Sequence, residues 1–119
     1  MKTIKIYCKA CGVALTDALE EVKEQNLRFD DGEALLNKGQ FGEVAHNNLE
    51  HFAISRYEGN MLDHTESLRF QGCCGSSGSN GYNKLCINSH EVGTEVSDCW
   101  TPHYIAIDKE KVIAKEIKN

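Results

Sequence analysis

Residues 4–12 read Ile4-Lys5-Ile6-Tyr7-Cys8-Lys9-Ala10-Cys11-Gly12 and join an alternating run to a closely spaced pair of cysteines. Apolar side chains at every second position are typical of a strand with one buried face. Two residues between the cysteines allow one tight turn to direct both sulfurs at a single metal ion. The following glycine lets the backbone bend back, so that N–H groups can donate hydrogen bonds to sulfur. This stretch therefore predicts a strand over residues 3–7 that ends in a metal-binding turn.

Over the five residues from Cys8 to Gly12, the sequence resembles the knuckle of zinc-ribbon and rubredoxin-type sites. The resemblance is local, so it implies a tetrahedral metal site and not a named family. Such a site needs four ligands, and one Cys-x-x-Cys pair supplies two of them. Two further ligands must come from distant parts of the chain.

The remaining ligand candidates are four thiols and one histidine, namely Cys73, Cys74, Cys86, Cys99 and His90. Cys74 is followed by Gly75, as Cys11 is by Gly12, and Cys86 falls in a strand-like run. We therefore predict that zinc is bound by Cys8, Cys11, Cys74 and Cys86. The sequence leaves open whether Cys73, Cys99 or His90 replaces one of these, although free cysteine is often buried, which favours a core role for Cys99.

The remaining sequence favours a small β-rich α+β fold in a single zinc-binding domain covering residues 1–119. Leu15, Leu19 and Val22 repeat with helical spacing after a possible cap at Thr16, which predicts one N-terminal helix over residues 16–25. Strand patterns occur at 68–71, 84–88, 92–96, 104–107 and 112–117, and 108–111 is expected to be a hairpin turn between the last two. The Gly/Ser-rich residues 75–81 predict a flexible hairpin loop. The expected architecture is an antiparallel sheet stapled by zinc.

Charge and cysteine content limit the possible partners and compartment. The chain has 13 Lys and Arg against 18 Asp and Glu, a net charge of -5, whereas nucleic-acid binding relies on clustered positive charge. The N-terminus has no long apolar run, so we expect no membrane association and a cytoplasmic location. Thiols are kept reduced there, which favours Zn²⁺ over disulfides for the six cysteines.

Residues 90–103, together with Gly72-Cys73-Cys74-Gly75, resemble small bacterial proteins, and no activity is attached to that resemblance. The second histidine of a His-Glu-x-x-His motif would fall at Thr94, so the metallopeptidase pattern is incomplete. Glu95, Asp98 and His103 can either line a pocket beside Trp100 or satisfy backbone groups in a tight corner.

We predict a protein-binding module of regulatory, inhibitor or immunity type that acts on an unidentified protein partner, and no enzyme activity is assigned. Closed coordination by four thiolates favours this function, because catalytic zinc keeps a position for water. The alternatives are a metal-dependent hydrolase and a thiol redox protein that uses Cys8 and Cys11. The redox alternative requires a helix that begins at the cysteine pair and lowers the pKa of the first thiol.

Overall fold

The computed structural model describes residues 2–117, and within this range the chain forms nine strands and two short 3-10 helices. The strands are β1 (Thr3–Cys8), β2 (Leu19–Glu21), β3 (Gln40–His46), β4 (Leu49–Ile54), β5 (Met61–Asp63), β6 (Lys84–Cys86), β7 (Glu91–Val96), β8 (Tyr104–Asp108) and β9 (Val112–Glu116). The 3-10 helices are Glu24–Asn26 and Ser67–Phe70. The fold is therefore nearly all β, and the α+β prediction is wrong.

All nine strands join one sheet in the order β5-β6-β7-β8-β4-β3-β2-β1-β9. Pairing is antiparallel except between β2 and β3, which run parallel. Right-handed twist accumulates along such a sheet, and here the sheet curls so that residues from its two ends meet. The main core fills the inside of this curl and consists of Ile4, Ile6, Leu15, Leu19, Phe41, Phe52, Ile54, Val92, Ile105, Ile107, Val112 and the two cysteines Cys8 and Cys86.

The helix predicted over residues 16–25 is absent from the described chain. Leu19–Glu21 forms β2 instead, and the Glu20 N–H donates to the segment that precedes β3. Thr16, the expected helix cap, uses its hydroxyl oxygen to accept the N–H of Ile6 at 3.3 Å. Hydrogen bonds to other strands have taken the place of the local helical bonds, so tertiary pairing overrides the helical spacing of the leucines.

The segment between β5 and β6 also differs from the prediction. The residues expected to form a strand at 68–71 lie mostly in the 3-10 helix Ser67–Phe70, so the Gly/Ser-rich stretch is one part of a longer connection between the paired strands β5 and β6. Ser76 and Gly78 are buried in it. The fully buried Asn83 donates to the Ser76 hydroxyl at 2.9 Å and accepts the Glu95 N–H at 2.6 Å, and these bonds fix the stretch against β7.

The four C-terminal strand predictions correspond to β6, β7, β8 and β9, but the hairpin expected between the last two is wrong. Residues 108–111 do form a tight turn, in which the Lys111 N–H donates to the Asp108 carbonyl at 3.0 Å. After this turn β9 pairs with β1, whereas β8 pairs with β4 and β7. The turn thus directs β9 to β1 instead of back along β8. Among the described residues, no helix is long and apolar enough to cross a membrane.

Candidate metal centre

The structure brings the six cysteines together in two groups. In the first, here called the seam site, the donor atoms of Cys8, Cys11, Cys86 and His90 all lie within 4.8 Å of one another. In the second, here called the thiol cluster, the sulfurs of Cys73, Cys74 and Cys99 also lie within 4.8 Å of one another. The structure therefore brings together three of the four predicted ligands and places Cys74 in the other group.

The spacing of donor atoms in the seam site can be compared with that around zinc. Zinc–sulfur bonds of about 2.3 Å and zinc–nitrogen bonds of about 2.0 Å at tetrahedral angles place two sulfurs about 3.8 Å apart, and a sulfur and a nitrogen about 3.6 Å apart. The Sγ atoms of Cys11 and Cys86 are 3.8 Å apart. His90 Nδ1 lies 3.8 Å from Cys8 Sγ and 3.3 Å from Cys86 Sγ, on either side of the expected value. These distances fit one tetrahedral ion.

The first half of the seam site is the turn at the end of β1. The Cys8 N–H donates to the Val13 carbonyl at 2.8 Å, and the Gly12 N–H donates to the Cys8 carbonyl at 2.7 Å. Gly12 has a φ of +77°, which is the left-handed conformation that glycine adopts without steric cost. The backbone thus folds back as the sequence predicts, with both sulfurs on the same side.

The second half is the connection between β6 and β7. The Cys86 N–H donates to the His90 carbonyl and the Ser89 N–H donates to the Cys86 carbonyl, each at 2.9 Å. Ser89 has a φ of +69°, so a serine occupies the left-handed position here. The N–H groups of Asn88 and His90 point at Cys86 Sγ from 3.3 and 3.4 Å. Backbone donors of this kind stabilise a thiolate and orient it toward a metal.

Electrostatics differ between the thiols of the seam site. The Asn88 side-chain amide donates to Cys11 Sγ at 3.3 Å, and this bond, aided by the Val13 N–H, lowers the pKa of Cys11 to about 6. Burial raises the pKa of Cys8. Asn88 was missed in the sequence, because an asparagine two residues after a cysteine carries no distinctive signal.

The seam site connects the two ends of the sheet. In the strand order, β6 is second from one edge and β1 is second from the other, with five strands between them. The described strands at these two ends do not pair with each other. Cys8 and Cys11 nevertheless meet Cys86 and His90 across the gap. An ion held here would close the curl.

The thiol cluster is built around the carboxylate of Asp98. This carboxylate accepts the N–H groups of Cys73 at 3.1 Å, Cys74 at 3.0 Å and Cys99 at 2.7 Å. The N–H of Cys74, with the other two, holds the pKa of Asp98 below its usual range. Cys74 Sγ lies 2.6 Å from Cys99 Sγ, and this contact raises the pKa of Cys99 to about 12. Cys99 is partly exposed, so the core role expected for it is wrong.

Glu95, Asp98 and His103, the polar residues expected either to line a pocket beside Trp100 or to satisfy backbone groups, each have partners within the fold. Glu95 accepts the Ser97 hydroxyl at 3.0 Å, and one of its oxygens lies 3.7 Å from the Arg56 guanidinium. His103 Nε2 lies 3.0 Å from the Asp98 backbone oxygen, and its Nδ1 lies 3.5 Å from Arg56. Asp98 and His103 thus contact backbone groups in the corner that carries Trp100, as the second interpretation expects, whereas Glu95 pairs with side chains.

A surface cavity of about 760 Å³ adjoins the seam site and is lined in part by Cys8 and His90. Two acidic residues, Glu91 and Glu110, line it. Of these, Glu91 is bound by Arg69 at 2.9 Å and lies 3.3 Å from His64 Nε2. A carboxylate held by two partners is poorly placed to act as a general base. No helix follows Cys11 within residues 12–18, so the helix required by the redox interpretation of Cys8 and Cys11 is missing there.

Comparison with protein-family models, with curated proteins and with solved structures finds no match to this chain.

Proposed function

We propose that this chain is a zinc-stabilised protein-binding domain in which Cys8, Cys11, Cys86 and His90 hold one structural Zn²⁺. The observation that carries the metal assignment is the spacing of three sulfurs and one ring nitrogen, which fits tetrahedral zinc. Mixed cysteine and histidine coordination of this kind is common in structural zinc sites. His90 takes the place of Cys74 in the ligand set predicted from sequence.

A structural role for the ion is supported by its position in the fold. The two halves of the seam site lie toward opposite ends of one curled sheet, and the described strands of these ends do not pair with each other. The Asn60 N–H donates to the Leu15 carbonyl at 2.8 Å and makes one backbone contact between the two ends. Zinc would add a second and stronger connection. Four protein donors leave no coordination position for an activated water, which argues against the hydrolase alternative.

A protein-binding role is supported by one exposed corner of the molecule. Trp100 is 72% exposed and follows the Asp98 turn, and Tyr57 is also 72% exposed. Arg56 joins Tyr57 to His103, because its guanidinium lies 5.4 Å from the centre of the Tyr57 ring and 3.5 Å from His103 Nδ1. His103 Nε2 in turn lies 3.0 Å from the backbone oxygen of Asp98, in the turn that carries Trp100. Aromatic and arginine side chains dominate the binding energy at protein interfaces. We define this surface, made of Arg56, Tyr57, Trp100 and His103, as the aromatic corner.

The metal assignment is tested by native mass spectrometry of protein purified without added metal. One zinc per chain is expected, retained in Cys74→Ser and lost or weakened in His90→Ala. A folded protein without metal would contradict the assignment. Loss of zinc in Cys74→Ser with retention in His90→Ala would support the four-cysteine site instead.

The partner is tested by affinity capture with zinc-loaded wild type, Trp100→Ala and Leu49→Ala. Leu49 is 60% exposed at the turn between β3 and β4 and serves as the matched control. A partner retained by wild type and Leu49→Ala, and lost by Trp100→Ala, is the expected result. Equal retention by all three proteins would contradict the role of the aromatic corner, and capture of no partner by wild type would contradict the binding function.

A further inference from the structure

The thiol cluster differs from the seam site in the distance between its sulfurs. Cys74 Sγ and Cys99 Sγ are 2.6 Å apart. To share a tetrahedral zinc they would have to separate by about 1.2 Å, whereas a disulfide bond of about 2.0 Å requires an approach of only about 0.6 Å. The seam site is spaced for a metal, and this pair is spaced for a covalent bond between sulfurs.

The backbone holds the two cysteines in place from both sides. A single carboxylate, that of Asp98, accepts the N–H groups of Cys74 and Cys99, so both residues are tied to one acceptor. The Ser97 N–H donates to the Ser76 carbonyl at 2.8 Å and fixes the segment that follows Cys74. The sulfurs are therefore held together by hydrogen bonds of the surrounding backbone.

Gly72 and Gly75, which flank Cys73 and Cys74 in the sequence, allow the loop to approach residues 97–99 closely. A Cβ on Gly75 would lie 2.5 Å from the Ser97 carbonyl oxygen, and a Cβ on Gly72 would lie 2.6 Å from Asp98 Oδ2. Larger residues at either position would push the loop away from residues 97–99. The loop is thus shaped to bring Cys74 against Cys99, and the thiols are open to solvent, since Cys74 is exposed and Cys99 is partly so.

We infer that Cys74 and Cys99 form a thiol–disulfide exchange centre whose substrates are small disulfides of the glutathione type. In the first step the thiolate of Cys74, the more exposed of the two, attacks one sulfur of the small disulfide. A mixed disulfide forms as the S–S bond of the small disulfide breaks, and the thiolate that leaves takes up the proton released by Cys74 and departs as a thiol.

In the second step Cys99 attacks the Cys74 sulfur of the mixed disulfide. The second small thiol leaves with the Cys99 proton, and an internal Cys74–Cys99 disulfide remains. The protein pair loses two electrons and two protons, and the small disulfide gains them and becomes two thiols. The reverse sequence reduces the protein with two equivalents of small thiol. Cys73, whose sulfur lies within 4.8 Å of the other two, takes no part in either step.

The test uses full-length, zinc-loaded protein that has been reduced and then freed of reductant. It is equilibrated with glutathione buffers of rising disulfide fraction, quenched in acid, alkylated and mapped by mass spectrometry without reduction. Wild type and Cys73→Ser should lose two hydrogen atoms, yield a linked Cys74–Cys99 peptide and keep their zinc. Cys99→Ser should stop at a stable glutathione adduct on Cys74, and Cys74→Ser should give no linked peptide.

Several results would overturn the inference. One is a link through Cys73 in wild type, and another is the survival of all three thiols at high glutathione disulfide. A third is a second zinc per reduced chain that disappears in both Cys74→Ser and Cys99→Ser, which would make the cluster a metal site. Because Cys73→Ser changes the same loop, it controls for loss of folding, and the adduct on Cys99→Ser gives a separate positive signal.

Discussion

Serine in place of Cys86 removes a thiolate from the point where the two ends of the sheet meet. Cys86 is fully buried, and its Sγ lies 3.8 Å from Cys11 Sγ and 3.3 Å from His90 Nδ1. A hydroxyl is not among the ligands that structural zinc uses, and it leaves a polar atom in a buried position. We expect Cys86→Ser to lose its zinc and, with it, the metal link between the two ends of the sheet.

The size of this effect follows from the energy that structural zinc supplies. Such sites contribute about 10–16 kcal/mol of apparent binding free energy, whereas whole domains are stable by about 5–15 kcal/mol. Since the two quantities are comparable, loss of the ion removes most of the free energy of unfolding. The matched control is Cys99→Ser, which changes a partly exposed thiol outside the ligand set and should cost about 0.5–3 kcal/mol.

Urea unfolding followed by far-ultraviolet circular dichroism measures both variants and the wild type, with zinc and with a chelator. Wild type in chelator should match Cys86→Ser in zinc, and both should unfold at far lower urea than Cys99→Ser. Two results would contradict a structural role for the zinc. One is the same urea midpoint of unfolding for Cys86→Ser and Cys99→Ser, and the other is a wild-type urea midpoint that the chelator leaves unchanged.

Three further predictions concern other parts of the same framework. Gly59→Ala should destabilise the fold by about 2 kcal/mol or more in urea unfolding, because Gly59 has a φ of +85° and a Cβ would collide with the Leu15 carbonyl oxygen. Backbone donors, that of Cys74 foremost, hold the pKa of Asp98 below 3.8 in the fold, so stability is lost as the pH falls through that lowered value. Asp98→Asn should flatten this acid dependence, as unfolding midpoints across a pH series would show. Loss of a residue that only supports a metal ligand lowers metal affinity by about 10–100-fold. In a competition titration with a chromophoric chelator, His90→Ala should lower zinc affinity by more than this, and Cys74→Ser should leave it unchanged.

The strands were predictable where apolar and polar side chains alternate and where turn residues mark both ends of the strand. β1, β7 and β8 lie within about one residue of the expected ranges. The turn from Cys8 to Gly12 was predictable for the same reason, since its geometry depends on residues that are adjacent in the chain. The pairing of β9 with β1 was not, because the Asp108 turn has the local sequence of a hairpin and only the rest of the sheet decides its partner.

The helix error has a specific physical cause. Leu15 and Leu19 are both fully buried, which their four-residue spacing also predicts for a helix. The structure buries them from an extended chain, in which the Leu15 N–H donates to the Ile6 carbonyl at 2.8 Å. The spacing of the two leucines predicted their burial correctly but predicted a helical backbone where the chain is extended. The local sequence does not indicate which strand the segment will pair with.

The choice of Cys74 over His90 depended on the glycine that follows each cysteine. Gly12 has a positive φ, whereas Gly75 is needed because its α-carbon approaches the Ser97 backbone closely. The same residue type thus serves two different purposes. In the second half of the seam site Ser89 takes the left-handed conformation, and serine gives no sequence signal for it. Only three residues separate Cys86 from His90, so one short connection brings both side chains to the same ion. This spacing favoured His90 as the alternative to Cys74.

X-ray absorption at the zinc edge on the zinc-loaded wild-type protein identifies the atoms bound to the ion. We expect three sulfur ligands at about 2.3 Å and one nitrogen at about 2.0 Å, with no oxygen. Four sulfurs would contradict the role of His90 and restore a four-cysteine site. An oxygen in place of one protein ligand would contradict the closed, structural character of the zinc and point to an open site beside the cavity that Cys8 and His90 line.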